Sequence, residues 1–277
     1  MKLSKFTRKF FTNPNYADYW STRVRTKRYE EAYRTDFLQD LRVSNGDLVL
    51  EIGVGEGRNA SELLSEGTSY VGLDISRKML GKARERIGRG FIEKADLLVG
   101  DALWLPFRPD CFDKSLCFAT MFFVPGQRRA ISEILSVSRS RVGIEFRNSL
   151  NPRIFLYTMT VTVVNLIQPL LRVLLRTKPF RIILLVTLGR DRAERFSSQI
   201  LVYDSLQPVF PITVSQIRKE IQKNGWRVES LEVGPMIDSD KSNNNRTKRL
   251  RFGTFGPVIV VHTISEHDQS RSGNENL

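Results

Sequence analysis

The stretch LVLEIGVGEGR at residues 48–58 decides the fold of this 277-residue chain. It begins as an apolar strand, enters a turn that carries Gly53, Gly55 and Gly57, and leads into a predicted helix. Glycine has no Cβ, so the backbone can turn tightly and a ligand can approach the main chain closely. The start of a helix adds N–H groups that have no partner within the helix. The stretch therefore predicts a nucleotide-like ligand at the end of a strand.

The glycine spacing and one acidic residue indicate which ligand this is. Dinucleotide sites favour G-x-G-x-x-G, but here the third glycine position of that pattern holds Arg58. Glu51 precedes the turn, and a carboxylate suits a cationic ligand better than a pyrophosphate. The spacing E-x-G-x-G-x-G resembles motif I of class I methyltransferases, whose cofactor S-adenosylmethionine carries an ammonium and a sulfonium group. An ordinary strand-to-helix turn is the alternative.

A second segment, DISRKMLGKA at residues 74–83, follows the next predicted strand. A carboxylate at Asp74 can accept hydrogen bonds from both hydroxyls of a ribose. Ser76 is expected to cap the following helix, and Ile75 either flanks the adenine or packs into the core. The segment resembles the D-x-S-x-x-M-L-x-x-A signature of the type 11 methyltransferase branch, which includes quinone-biosynthesis enzymes.

A third segment contains GDA at residues 100–102, then LPF at 105–107 and FD at 112–113. In the family that the chain resembles, an acid after the third strand binds the adenine amino group, which is the role implied for Asp101. Capping of a turn is the alternative for this residue. The resemblance covers residues 47–120 and implies a cofactor site made of Glu51, Gly53, Gly55, Gly57, Asp74, Ile75, Asp101, Ala102 and Phe118.

Alternating strand and helix patterns predict the fold class, a doubly wound α/β fold around a mostly parallel seven-stranded sheet. The predicted strands are Asp47–Ile52, Ser69–Asp74, Leu97–Gly100, Lys114–Phe118, Arg141–Phe146, Arg227–Val233 and Pro257–Ile264. The predicted helices are Asn59–Glu66, Ser76–Ile87, Gln127–Val137 and Val214–Asn224. The usual ending of the family implies that the last strand is inserted antiparallel.

The chain divides into a basic helical segment at 1–40, a methyltransferase domain at 41–264 and a disordered tail at 265–277. Residues 147–210 interrupt the domain after its fifth strand and are predicted to form a helical cap over the acceptor side of the pocket. Tyr16, Tyr19 and Glu145 are candidate substrate contacts, with Glu145 also a candidate base. No residue resembles a catalytic nucleophile, and no metal site is predicted. Methyl transfer from a sulfonium depends more on positioning and desolvation than on acid–base groups, so a missing base does not argue against activity.

The inserted segment contains an 18-residue run without charge at 154–171. On a helix its polar residues form one narrow stripe, and nearly everything else is apolar. This pattern predicts an amphipathic helix, flanked by basic residues, that lies in a membrane interface. A lid packed on the protein core or on a partner is the alternative.

The net charge of +13 is concentrated outside the predicted catalytic core. Residues 1–35 carry +6, residues 152–196 carry +6, and residues 240–252 carry +4. Such patches attract phosphates of nucleic acid or of an anionic membrane, with a merely solubilising surface as the alternative. The two cysteines suit a reducing compartment, so we expect a cytoplasmic protein, with peripheral membrane binding as an option.

The sequence therefore predicts S-adenosylmethionine-dependent methyl transfer to a small or lipid-like acceptor, at or near a membrane surface. An RNA methyltransferase is the alternative that the basic segments favour, although no RNA-binding module is recognisable. A third hypothesis is a subunit that binds the cofactor without catalysis.

Overall fold

The computed structural model describes residues 2–13, 16–18, 28–88, 90–190, 192–193, 210–234 and 258–265. Within these ranges one sheet contains seven strands, ordered β3-β2-β1-β4-β5-β7-β6. They are β1 Leu48–Ile52, β2 Ser69–Asp74, β3 Ala95–Val99, β4 Phe112–Cys117, β5 Ser138–Arg147, β6 Trp226–Gly234 and β7 Val258–Ser265. Strands β1 to β5 pair in parallel, and β7 is antiparallel to both β5 and β6. This confirms the predicted fold class, including the antiparallel last strand.

Eight α-helices lie with both of their ends inside the described ranges. They are α1 Lys2–Phe11, α2 Arg28–Leu41, α3 Ala60–Ser65, α4 Arg77–Ile87, α5 Gln127–Val137, α6 Pro152–Leu175, α7 Lys178–Leu188 and α8 Val214–Lys223. Several begin at side-chain caps, which satisfy N–H groups that the first turn leaves without partners. The hydroxyl of Ser76 accepts a hydrogen bond from the N–H of Met79, as the sequence predicts. Thr213 and Gln216 form a capping box at the start of α8.

Apolar side chains cover both faces of the sheet, as expected for parallel strands buried between helices. On one face Val49 and Tyr70 pack with residues of α2, α3 and α4. On the other face Leu50 and Ile52 pack with residues of α5 and α8. The sheet is therefore held rigidly from both sides, which fixes the positions of the loops at its carboxyl edge.

Helices α6 and α7 contact each other and form a pair, the α6–α7 hairpin, after the fifth strand. Asn151 caps α6 by accepting hydrogen bonds from the N–H groups of Arg153 and Ile154. Many apolar side chains of the hairpin face solvent; for example, Leu166 is 76% exposed and Val186 is 80% exposed. Within the described ranges, none of the helices combines the length and hydropathy needed to cross a membrane.

Candidate functional site

A cavity of about 270 Å³ opens at the carboxyl ends of the central strands. Strand β1 lies between β2 and β4, so the chain winds in opposite directions on its two sides. Ligands of open α/β sheets bind at such a reversal point. The ends of β1 and β2 line one half of the cavity, and the ends of β4 and β5 line the other. Helix α1 contacts both sides, since Phe10 packs with Met79 after β2 and Phe11 lies beside Phe123 after β4.

The glycine-rich turn exposes bare main chain to the cavity. Gly55 has a φ of +55°, and a Cβ built there would meet no atom closer than the carbonyl oxygen of Gly53 at 4.0 Å. A side chain at this position would project into open space where a ligand can otherwise reach the backbone. The turn therefore leaves its main chain open to the cavity.

The other two glycines serve packing. A Cβ at Gly53 would lie 2.2 Å from Cγ2 of Thr120, so the end of β1 runs directly against the loop after β4. The hydroxyl of Thr120 donates a hydrogen bond to the carbonyl oxygen of Gly53 at 3.2 Å. A Cβ at Gly57 would lie 3.1 Å from Ala83 of α4. Gly57 therefore allows a helix to approach and, unlike the other residues predicted for the cofactor site, does not line the cavity.

Asp74 stands at the end of β2 and is fixed by main-chain donors. Its Oδ2 accepts a hydrogen bond from the N–H of Gly55 at 2.9 Å, and its Oδ1 accepts one from the N–H of Ser76 at 2.8 Å. Burial raises the pKa of this carboxyl, and the hydrogen bonds from backbone N–H groups oppose the rise. A carboxylate oxygen has a second lone pair, so both oxygens can still accept from a ligand.

Glu51 is 2% exposed and lies in a buried hydrogen-bond network below the turn. Its Oε2 accepts from the hydroxyl of Tyr70 at 2.5 Å, and its Oε1 accepts from Nδ2 of Asn59 at 2.7 Å. Arg34 donates to Oδ1 of Asn59 at 3.4 Å. Burial, only partly offset by the bonds from Tyr70 and Asn59, raises the pKa of Glu51 to about 7. The charge of this site is therefore sensitive to pH near neutrality.

Asp101 lies in the turn after β3, where its Oδ1 accepts a hydrogen bond from the N–H of Leu103 at 3.0 Å. One oxygen of Asp101 thus caps the turn, as the alternative predicts, and the residue also lines the cavity.

Cys117, at the end of β4, is fully buried, and burial raises the pKa of its thiol. The thiol is therefore held in its un-ionised form, as expected for a core cysteine.

The structure gathers most of the predicted site residues around this one cavity. The lining includes Glu51, Gly53, Gly55, Asp74, Ile75, Asp101, Ala102 and Phe118, together with Tyr16 and Glu145. Tyr19 lies outside the described residues. None of the described residues between 152 and 193 lines the cavity, and residues 194–209 are outside the described ranges, so the helical cap over the pocket stays a prediction.

Sequence reasoning missed an ion pair at the end of β5. Oε1 of Glu145 lies 3.1 Å from Nη1 of Arg147, and Oε2 accepts a hydrogen bond from the N–H of Ala119 at 2.9 Å. Ala119 has a φ of +52°, an unfavourable conformation for a residue with a Cβ, so Glu145 helps to hold a strained loop. Arg147, at 24% side-chain exposure, also lines the cavity. The sequence held one signal for this ion pair, a basic residue directly after an apolar strand.

Sequence reasoning also missed the aromatic wall, which consists of Phe11, Phe122 and Phe123. The ring centroids of Phe122 and Phe123 are 4.2 Å apart, and those of Phe11 and Phe123 are 5.3 Å apart. Arg147 places its guanidinium 4.2 Å from the centre of the Phe122 ring. All of these side chains line the cavity. The run MFF at residues 121–123 was the signal for two of the three rings, and the third, Phe11 in α1, is distant in sequence.

A family model described as a methyltransferase domain matches residues 49–141. The match includes the glycine-rich turn, Asp74, Asp101 and strands β1 to β4, which form most of the cavity. It ends within β5 and leaves the α6–α7 hairpin outside.

Two curated relatives extend this similarity. Methyltransferase GfsG of Streptomyces halstedii is 28% identical over 143 residues, covering 50% of this chain and 51% of that protein. Phosphatidylethanolamine N-methyltransferase of Cereibacter sphaeroides is 34% identical over 97 residues, covering 35% of this chain and 47% of that protein. The chain thus spans about half the length of these relatives.

A solved structure shares the fold over most of the chain. The S-adenosylmethionine-dependent methyltransferase of Mesorhizobium loti superposes with a TM-score of 0.55, covering 83% of this chain and 96% of that one. Its sequence identity is 16%, so the likeness concerns the fold.

Proposed function

We propose that this chain, which carries a class I S-adenosylmethionine-dependent methyltransferase domain, transfers a methyl group to a small or lipophilic acceptor. The observation that carries the proposal is the shared cavity at the carboxyl edge of the sheet. Carboxylates and bare glycine backbone line one half, and an aromatic wall lines the other. Such a division suits a polar cofactor beside an apolar acceptor.

The half of the cavity lined by Asp74 and the glycine-rich turn, the cofactor half, has hydrogen-bonding groups that suit S-adenosylmethionine. Asp74 presents two fixed oxygens for a hydroxyl pair, and Gly55 leaves its main chain open to the cavity. Ionised Glu51 and Asp101 offset positive charge on a ligand. When bound, S-adenosylmethionine supplies a methyl group on a positively charged sulfur, which makes that methyl group electrophilic.

The rest of the catalytic contribution is positioning and exclusion of water. The aromatic wall removes water from the half of the cavity that it lines, the acceptor half. The hydrogen bond from Thr120 to Gly53 fixes the loop after β4 against the turn. Alignment and desolvation together supply much of the rate increase in transfers of this kind. Glu145 is engaged by Arg147 and Ala119, so we propose a positioning role for it and not that of a base.

The direct test uses S-adenosylmethionine with a radiolabelled methyl group, incubated with lipid, small-molecule and RNA fractions. We expect label to enter a small-molecule or lipid fraction, and Asp74→Ala to abolish the incorporation. Label appearing in RNA alone would overturn the proposal and support the alternative, an RNA methyltransferase. Tight binding of the cofactor without label in any fraction would favour the non-catalytic subunit.

We also propose that the α6–α7 hairpin docks the enzyme on an anionic membrane. Its apolar side chains are largely exposed, with Phe155, Leu170 and Ile182 each more than half exposed. The segment from Pro152 to Arg190 contains six basic residues and no acidic one. Apolar surface combined with positive charge is the combination that binds anionic bilayers.

A further inference from the structure

The acceptor half of the cavity contains a charged group whose purpose the fold alone does not explain. Arg147 lies at the carboxyl end of β5, next to β4 and away from the half that Asp74 and the glycine-rich turn line. Its guanidinium is restrained twice, by the ion pair with Glu145 and by the Phe122 ring. A long side chain held in this way has already lost most of its conformational freedom.

The ion pair uses only part of the guanidinium. Glu145 contacts Nη1, whereas the described residues offer no hydrogen-bond acceptor to Nε or Nη2 of Arg147. A guanidinium has five N–H donors in a planar fork, so donors remain for a ligand in the cavity. Helix α1 adds a second arginine, Arg8, to the lining of the cavity.

The aromatic wall defines the other part of the ligand. Phe11, Phe122 and Phe123 present ring surfaces to the same space, and such surfaces favour flat apolar groups. The unused N–H donors of the Arg147 guanidinium favour an ionised oxygen close to that flat group.

We propose that the acceptor is a lipophilic acid, in which a flat apolar body packs on the aromatic wall and an ionised oxygen, phenolate or carboxylate, binds Arg147. This inference rests on the proposed function, and it names the acceptor class that the cavity selects. Arg147 is the residue that determines specificity, while Glu145 holds it in place.

Two matched probes test this by calorimetry, with S-adenosylhomocysteine present at saturation. 2-Naphthoate carries an ionised oxygen, and 2-naphthalenemethanol has the same ring system without charge. We expect the wild type to bind the naphthoate at least about tenfold more tightly, because charge-assisted hydrogen bonds are the strong ones. Raising the salt concentration from about 0.05 M to about 0.5 M should reduce that ratio through screening.

Three substitutions show which residue causes the preference for the charged probe. Arg147→Gln keeps a donor for Glu145 but removes the charge, and we expect it to bring the affinity ratio close to one. Phe122→Leu should weaken both probes by a similar factor. Arg139→Gln, at the exposed amino end of the same strand, is the matched control and should keep the ratio of the wild type.

The outcomes separate the inference from the proposed function. A wild type that binds S-adenosylhomocysteine but shows no preference for naphthoate overturns the acceptor inference alone. A preference that Arg147→Gln leaves intact, or that does not respond to salt, overturns it as well. A wild type that fails to bind S-adenosylhomocysteine overturns the proposed function.

Discussion

Asp74 joins the glycine-rich turn to the start of α4, because its two oxygens accept from Gly55 and Ser76. A ligand that donates to the same carboxylate would bind to a group already fixed in position. Asp74→Ala should therefore cost about 2–4 kcal/mol in binding S-adenosylhomocysteine, since buried charge-assisted hydrogen bonds are the strong ones. Titration calorimetry measures this loss.

Two further variants control that measurement. Asp74→Asn keeps one oxygen acceptor and should lose less affinity than the alanine variant. Asp96→Ala, on exposed β3, should bind like the wild type. Unchanged affinity in Asp74→Ala would refute the assignment of this residue to the cofactor.

Glu51 should make stability depend on pH. Burial raises its pKa from an ordinary 4.5 to about 7, so between these values the unfolded chain releases a proton that the folded chain keeps. The free energy of unfolding should fall as pH rises through this window, by up to about 3 kcal/mol, and then level off. Glu51→Gln cannot ionise, so urea unfolding from pH 4.5 to 8 should show a smaller fall for the variant. Parallel curves for the two proteins would contradict this.

At the scale of elements, the α6–α7 hairpin predicts binding to lipid. Vesicles that contain phosphatidylglycerol should co-sediment the wild type, and salt should weaken the binding because exposed charges are screened. Replacing Arg176, Lys178 and Arg181 with Gln should reduce the binding about a hundredfold, at about 1 kcal/mol for each residue. The matched control replaces three exposed cations elsewhere, Arg128, Arg139 and Lys219.

One result would favour a different partner for the basic segments. If the wild type ignores anionic vesicles but binds RNA with a steep dependence on salt, the membrane proposal fails and the RNA alternative gains support.

Helix α1 should respond to ligand, because Thr7, Arg8 and Phe11 line the cavity. S-Adenosylhomocysteine should slow hydrogen exchange in α1 and in the glycine-rich turn, since bound ligand stabilises the elements that contact it. Helix α8 packs against β6 and α5 and contributes no residue to the cavity lining, so its amide hydrogens should exchange at the same rate with and without ligand. Equal protection of α1 in both states would show that the helix is not part of the site.

For the whole molecule, local patterns predicted the sheet well. The bounds of β2 and α5 match their predicted ranges, because hydrophobic periodicity and caps are local signals. Strand β5 begins at Ser138, earlier than predicted, because the helix before it ends without turn residues and the polar segment 138–140 still pairs with β4.

The acceptor half could not be predicted in the same way. The contact of Arg147 with Phe122 exists because β4 and β5 are neighbours, and the contact of Phe11 with Phe123 exists because α1 returns to the same edge. Such contacts depend on the arrangement of distant segments, whereas the glycine-rich turn and Asp74 belong to a pattern that is continuous in sequence. The cofactor half was therefore largely predictable, while Arg147 and the aromatic wall were not.

The exposed apolar side chains of the hairpin also determine how the protein will behave during purification. Leu166, Val173 and Val186 face water when lipid is absent, and contiguous surfaces of this kind drive self-association. The protein should form larger particles as its concentration rises in plain buffer. A mild nonionic detergent should return it to a uniform small species without altering the cooperative melting of the sheet, whose core lies elsewhere.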